Sequence, residues 1–161
     1  MRRGAGAGFT LVELLVVIAI IGLLAAVAIP NLLNAVQRGK QKRTMADMRA
    51  LATAIESYAV DNDEYPAAGC PTGVFVLPGP RLDQDSFTDL VPTYVAQPPF
   101  QDGWGRAMRY GLRSTRDAYN LRSMGRDGTL DLAPCGTTTN FNDDIIFSDG
   151  TFIQWPEGTQ N

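Results

Sequence analysis

The hydrophobic pattern opens with one unbroken apolar block. Residues 14 to 37 carry no charge over 24 positions and read LLVVIAIIGLLAAVAIPNLLNAVQ. Wound as an α-helix at ~1.5 Å per residue, the block is ~36 Å long, enough to cross a hydrocarbon core of ~30 Å. From about residue 40 the pattern becomes two-faced. Met45, Met48, Leu51, Ile55 and Tyr58 recur at spacings of three and four, with Ala52 and Ala59 on the same face. Lys42, Arg43, Asp47 and Arg49 fall mostly elsewhere. This spacing predicts one helix from about Phe9 to about Asp61, ended by Asp61-Asn62-Asp63 and Pro66. A methionine and leucine stripe of this kind is read as core. Pro30 lies inside the pattern and removes one backbone hydrogen bond. It either kinks or melts the helix there, or is tolerated as in other membrane helices.

The rest of the chain reads as short pieces. Residues 66 to 103 hold Pro66, Pro71, Pro78, Pro80, Pro92, Pro98 and Pro99. They predict a long surface loop with one helical piece from about Ser86 to Leu90. Strand-like runs follow at Met108 to Leu112, Ala118 to Met124, Asp144 to Phe147 and Thr151 to Trp155, with Ser148-Asp149-Gly150 as a hairpin signal. The expected fold is α+β, a small antiparallel sheet lying on the amphipathic half of the long helix.

Composition narrows the chemistry. The 161 residues make room for one modest domain. The net charge is −3, but residues 1 to 50 carry +5 and residues 51 to 161 carry −8. A basic head on an acidic body argues against nucleic acid as the partner of the main domain and sets the basic residues beside membrane lipid. Histidine is absent, which removes Ser-His-Asp and Cys-His catalysis and His-ligated zinc. No Walker loop, GxGxxG or GxSxG occurs. The expectation is a protein that is not an enzyme.

The N-terminus is unusual in its order. Arg2 and Arg3 form a short positive region, and the small residues Gly4 to Gly8 precede the apolar run. A secretory signal peptide places its small-residue cleavage site after that run. Cleavage before it would leave the helix in place as an anchor. Arg2 and Arg3 favour a cytoplasmic N-terminus, while Arg38, Lys40, Lys42 and Arg43 weigh on the other flank. Glu13 is a carboxylate among apolar residues, at a cost of roughly 2.5–3.5 kcal/mol if carried to mid-membrane. It either snorkels to the interface or partners a positive charge. Cleavage after Gly8 would create such a charge on Phe9, and a neighbouring subunit is the natural donor.

The segment Gly8-Phe9-Thr10-Leu11-Val12-Glu13, followed by the apolar run and Pro30, resembles the cleavage and methylation motif of class III signal peptides. These belong to the type IV pilin and type II secretion pseudopilin superfamily. The resemblance implies cleavage between Gly8 and Phe9 by a prepilin peptidase, N-methylation of Phe9, and pairing of Glu13 with the Phe9 amine of an adjacent subunit. It divides the chain into a leader (1–8), an apolar transmembrane and filament-core helix (9–37), its amphipathic continuation (38–65) and a C-terminal globular domain (66–161). It also favours a cytoplasmic N-terminus before assembly. Further along, Tyr58, Asp61-Asn62 and Tyr65-Pro66, then Asp102-Gly103-Trp104-Gly105, Tyr110, Asp117-Ala118-Tyr119-Asn120-Leu121 and Ser123-Met124-Gly125-Arg126-Asp127-Gly128 resemble the G-type, or major, pseudopilins. Residues 67 to 90 and those after Ile146 depart from that pattern.

Two further features carry chemistry. Asp127, Asp131, Asn140, Asn142, Asp143 and Asp144 concentrate oxygen donors without EF-hand spacing. Spacing alone leaves solvated turns or a cation site open. The resemblance implies calcium, held by Asp127, Asp144 and Asn142 with the carbonyl of Met124. In the lengthened loop 129–141, Asp143 or Asp131 would stand in for one ligand. Cys70 and Cys135, both beside proline, either form a disulfide in an oxidising compartment or remain free thiols.

The resemblance therefore implies a structural filament subunit, a major pseudopilin forming a periplasmic pseudopilus that drives type II protein secretion. The implied partners are further copies of the chain, minor pseudopilins, the prepilin peptidase, the inner-membrane assembly platform and membrane lipid. The alternative is a type IV pilin of a surface fibre for adhesion, twitching or DNA uptake. Many such pilins place two cysteines around a C-terminal loop, an arrangement that Cys70 and Cys135 do not match.

Overall fold

The structure is a computed structural model that describes residues 8–67, 81–83, 85–131 and 136–158. Helix α1 covers Leu11–Asn62, 52 residues, and runs without interruption through Pro30. Thr10 caps its start. The Glu13 backbone N–H donates to Thr10 Oγ1 at 3.2 Å, and the Thr10 N–H donates to Glu13 Oε2 at 2.9 Å. This reciprocal pair is a capping box. At the other end Asp63 takes a left-handed φ of 58°, which ends the helical path.

The chain divides into two compact units, residues 1–36 and 37–161. In the first, the apolar side chains of α1 are exposed almost throughout, with Leu23 at 70 % and Val27 at 65 %. Among the described residues α1 is the one helix long and apolar enough to cross a membrane.

In the second unit the predicted stripe is buried. Met45, Met48, Leu51, Ala52 and Ile55 are at most 3 % exposed, and Ala54 joins them. Tyr58 and Ala59, at the end of the stripe, are only half-buried. The stripe packs on Tyr110, Tyr119, Leu121, Ile145 and Phe147 of the sheet. Each large side chain withdrawn in this way contributes roughly 1.5–3 kcal/mol. The Tyr119 hydroxyl also donates to Glu56 Oε1 at 2.8 Å, tying sheet to helix by a polar bond.

The sheet has strands β1 (Arg109–Leu112), β2 (Tyr119–Ser123), β3 (Gly136–Thr138), β4 (Ile145–Ser148) and β5 (Thr151–Pro156), in the order β1-β2-β4-β5-β3. Four strands match the runs read from sequence. β4 and β5 are joined at Asp149-Gly150, both at positive φ (45° and 86°), the backbone demanded by a two-residue type I′ turn. The sheet is mixed, however, because β3 adds parallel to β5. A wholly antiparallel sheet is corrected on that point. β3 is three small residues with no apolar alternation, and it is a strand because the edge of β5 pairs with it.

The helical piece expected from Ser86 to Leu90 is a run of tight turns. Phe87 sits at φ 60°, a left-handed value that an α-helix does not accept. Asp83 Oδ1 receives the Ser86 N–H at 3.0 Å and the Ser86 hydroxyl at 2.9 Å, the pattern of a helix N-cap, but the left-handed Phe87 stops the helix at the next residue.

Candidate functional site

Three parts of the chain carry candidate function. The first is the entry to α1. Gly8 and Phe9 precede the helix, and Phe9 is 80 % exposed. Glu13 Oε2 accepts both the Thr10 N–H (2.9 Å) and the Thr10 hydroxyl (2.7 Å). Sequence reasoning had looked for a partner on another subunit and passed over this internal one. Its signal was the spacing Thr10-x-x-Glu13. A carboxylate has about four lone-pair sites, so the cap leaves Glu13 able to accept an ammonium as well.

The second part is the turn from Asp102 to Gly105, which fastens the globular domain to α1. Asp102 is 3 % exposed. Its Oδ1 accepts the N–H groups of Trp104 and Arg106, both at 2.9 Å, and its Oδ2 accepts the Ser123 hydroxyl at 2.8 Å. The turn so shaped presents the Gly103 N–H to Thr44 Oγ1 at 2.8 Å and the Trp104 indole N–H to Gln37 Oε1 at 2.8 Å. Gly103 approaches the helix so closely that a Cβ there would lie 2.3 Å from the Lys40 carbonyl oxygen. These anchors fall at the last residue of the uncharged run and on the two helical turns that follow it.

The third part is the acidic loop between β2 and β4. Asp144 is fully buried, and its Oδ2 meets Arg122 Nη1 at 3.1 Å and the Asp131 N–H at 3.3 Å. Its Oδ1 is buried with no hydrogen-bond partner among the described residues. Burial pushes the Asp144 carboxyl up to about 6. The Arg122 charge pulls the other way, and the charges of Asp131 and Asp127 add to the rise. Asp127 itself is exposed and held below the usual carboxylate range by the Thr129 N–H, which donates to Oδ1 at 2.9 Å.

The remaining expected ligands have other work. Asn142 Oδ1 accepts from Arg126 Nε at 2.9 Å. Asp143 accepts from the Thr138 hydroxyl and from Asn140 Nδ2. The Met124 carbonyl accepts the Gly128 N–H at 3.0 Å. The two limbs of the loop touch at Gly125, where a Cβ would lie 2.2 Å from the Asn142 carbonyl oxygen. The loop thus brings Asp127, Asp131 and Asp144 within electrostatic reach and sets Asn142 and Asp143 apart on protein partners. Among the described residues no three acidic, histidine or cysteine side chains converge into a metal shell. Arg122 was not foreseen; its one signal is a charge inside a strand pattern. Cys70 and Cys135 lie outside the described residues.

Comparison with known proteins bears on all three parts. The family model for type II secretion system protein G matches residues 31–140, and that for the prokaryotic N-terminal methylation motif matches residues 5–29. The type II secretion system core protein G of Pseudomonas aeruginosa is 31 % identical over 137 residues, which is 80 % of this chain and 89 % of the relative. Proteins of the same description from Klebsiella pneumoniae and Escherichia coli are each 32 % identical. They cover 86 % and 76 % of this chain, and 91 % and 83 % of the relatives.

Proposed function

The chain belongs to the type II secretion system protein G family, the major pseudopilins, and from that premise we propose how its parts serve assembly. The observation that carries the reading is the contrast along α1. Its amphipathic half is covered by the sheet, while its apolar half stands exposed. Such a surface requires a hydrocarbon environment, first the bilayer and then other copies of the same helix.

In this reading the prepilin peptidase cleaves between Gly8 and Phe9, and the new Phe9 amine is methylated. The anchored chain has its N-terminus on the cytoplasmic side and its body in the periplasm. Glu13 keeps its Thr10 cap and accepts the Phe9 ammonium of the next subunit, which sets the axial register as chains are added. Minor pseudopilins and the inner-membrane assembly platform are the further partners. The chain works as a structural part and not as an enzyme.

Calcium belongs to the same proposal. The support is the orphaned, buried Oδ1 of Asp144, with Asp127 and Asp131 near it and the Met124 carbonyl at the start of the loop. Asn142 and Asp143 would join only by releasing Arg126, Thr138 and Asn140. A bound calcium ion would supply the positive charge that these carboxylates share. For the cysteines the proposal is a Cys70–Cys135 bridge closing about 65 residues. Mass spectrometry without reductant would show it as a two-proton deficit.

The function is tested by deleting the gene and comparing culture supernatants. Loss of several folded exoproteins from the medium, restored by the wild-type chain and not by Glu13→Ala, is the expected result. An unchanged supernatant would sink the reading and turn attention to surface fibres.

A further inference from the structure

A cavity of about 460 Å³ opens beside α1 where its charges begin. Arg38, Gln41 and Lys42 line it from the helix. Thr139 and Phe141, after β3, and Glu157, after β5, contribute to the rest of the lining. We propose that this cavity binds the headgroup of an anionic phospholipid from the bilayer that α1 spans, a proposal that rests on the anchored state described above.

Three observations point there. Arg38 and Lys42 are four residues apart, hence on one face of the helix, and both are exposed. Among the described residues neither has an ion-pair partner, whereas Arg43 is paired with Asp47 at 3.5 Å. Two unpaired cations on one wall match a phosphodiester, which the Arg guanidinium can grip through paired N–H donors.

Gln41 is the second observation. It is only 4 % exposed as a residue and it lines the cavity, and its amide makes no hydrogen bond to the described residues. The amide keeps access to the solvent of the cavity, so its N–H groups are available to a ligand there. Phosphate oxygens accept what the amide N–H groups and the Thr139 hydroxyl can donate. The Glu157 carboxylate has no ion-pair partner among the described residues either and suits a headgroup that brings its own hydroxyl donors, as glycerol does. Phe141 offers an apolar flank to the lipid backbone.

The third observation is position along the chain. Arg38 is the first charge after the uncharged run of residues 14 to 37. With that run across the hydrocarbon, Arg38 and Lys42 stand at the headgroup depth of the periplasmic leaflet, within reach of lipid phosphates. The distinctive point is that the globular domain completes the site. Residues about a hundred positions downstream share one cavity with the membrane flank.

The test uses the full chain reconstituted in phosphatidylcholine vesicles holding a minority of phosphatidylglycerol with a photoactivatable glycerol head. Cross-links are mapped by mass spectrometry. The expected result is labelling of the segments around 138–141 and 157–158 as well as the helix flank. Arg38→Gln with Lys42→Gln should lower that labelling about fivefold for each cation removed, the factor equivalent to about 1 kcal/mol. Lys40→Gln with Arg43→Gln removes the same charge outside the cavity and should leave it within twofold. Thr139→Glu, about a hundred residues along the chain from the helix flank, should lower it while the melting temperature stays unchanged.

Equal loss in both double variants would mean general attraction to an anionic surface and would overturn the site. So would labelling confined to residues 38–43. Failure of the chain to pellet with vesicles would instead overturn the anchored state itself, and the site with it.

Discussion

Arg122 on β2 holds the carboxylate of Asp144, just ahead of β4, through a 3.1 Å ion pair from which water is almost wholly excluded. The pair closes the base of the acidic loop, since the same carboxylate oxygen also receives the Asp131 N–H. Its second oxygen has no partner among the described residues. A buried ion pair adds little over a well-packed apolar pair, but removing one member leaves a stranded charge.

Arg122→Met should therefore destabilise the metal-free domain by roughly 3–5 kcal/mol. The double variant Arg122→Met with Asp144→Leu should recover most of that loss. Urea denaturation of the four proteins of this cycle, followed by circular dichroism, measures it. No recovery in the double variant would show that the cost of the single change is not the stranded carboxylate.

The same carboxylate sets a pH dependence. Its folded-state value, about 6, lies above the ordinary 3.8. The folded state binds this proton more tightly than the unfolded one, so the group lowers stability as pH rises through the window from about 4 to about 6. In chelator, the urea midpoint of the wild-type chain should fall across that window by more than that of Asp144→Asn. Parallel curves would refute the assignment.

Calcium should reverse the loss at neutral pH. Binding to the folded state alone stabilises by RT ln(1 + [L]/Kd), about 2.7 kcal/mol at a hundredfold excess over Kd. Thermal melts with calcium and with chelator should separate for wild type and coincide for Asp127→Ala with Asp144→Asn. Coincident melts of the wild type would remove calcium from the account.

At the clamp, Gly103→Ala should cost about 1–3 kcal/mol, because the added Cβ meets the Lys40 carbonyl at 2.3 Å. Thr44→Val removes the acceptor of the Gly103 N–H, and about 1–3 kcal/mol is again expected for the stranded donor. The two changes act on one contact, so the double variant should lose less than the sum of both. Melting temperatures of the three variants decide it.

At the helix entry, Thr10→Val removes the hydroxyl that caps Glu13 and should cost about 1 kcal/mol of helix-end stability, while Thr10→Ser keeps it. Amide hydrogen exchange of the first turn, in detergent, should quicken in the first variant only.

Much of the architecture was legible because local pattern encodes it. The uncharged run, the stripe from Met45 to Ile55, four strands and the Asp149-Gly150 turn each follow from periodicity or from backbone preference a few residues long. The Gly8-Phe9 to Glu13 motif was equally plain, since it depends on no distant contact. Only the tertiary structure decided the rest. β3 is a strand because β5 offers it an edge, and Gly136-Thr137-Thr138 carries no signal of its own. Residues 85–94 turn because the left-handed Phe87 interrupts the helix that Asp83 would have capped. Arg122 reaches Asp144 because β2 and β4 pair with Arg122 opposite Ile146, two residues from the carboxylate. That register, like the approach of Gly103 to Lys40, joins residues far apart in the chain. Local pattern carries no record of it, because packing and pairing across the whole core select it.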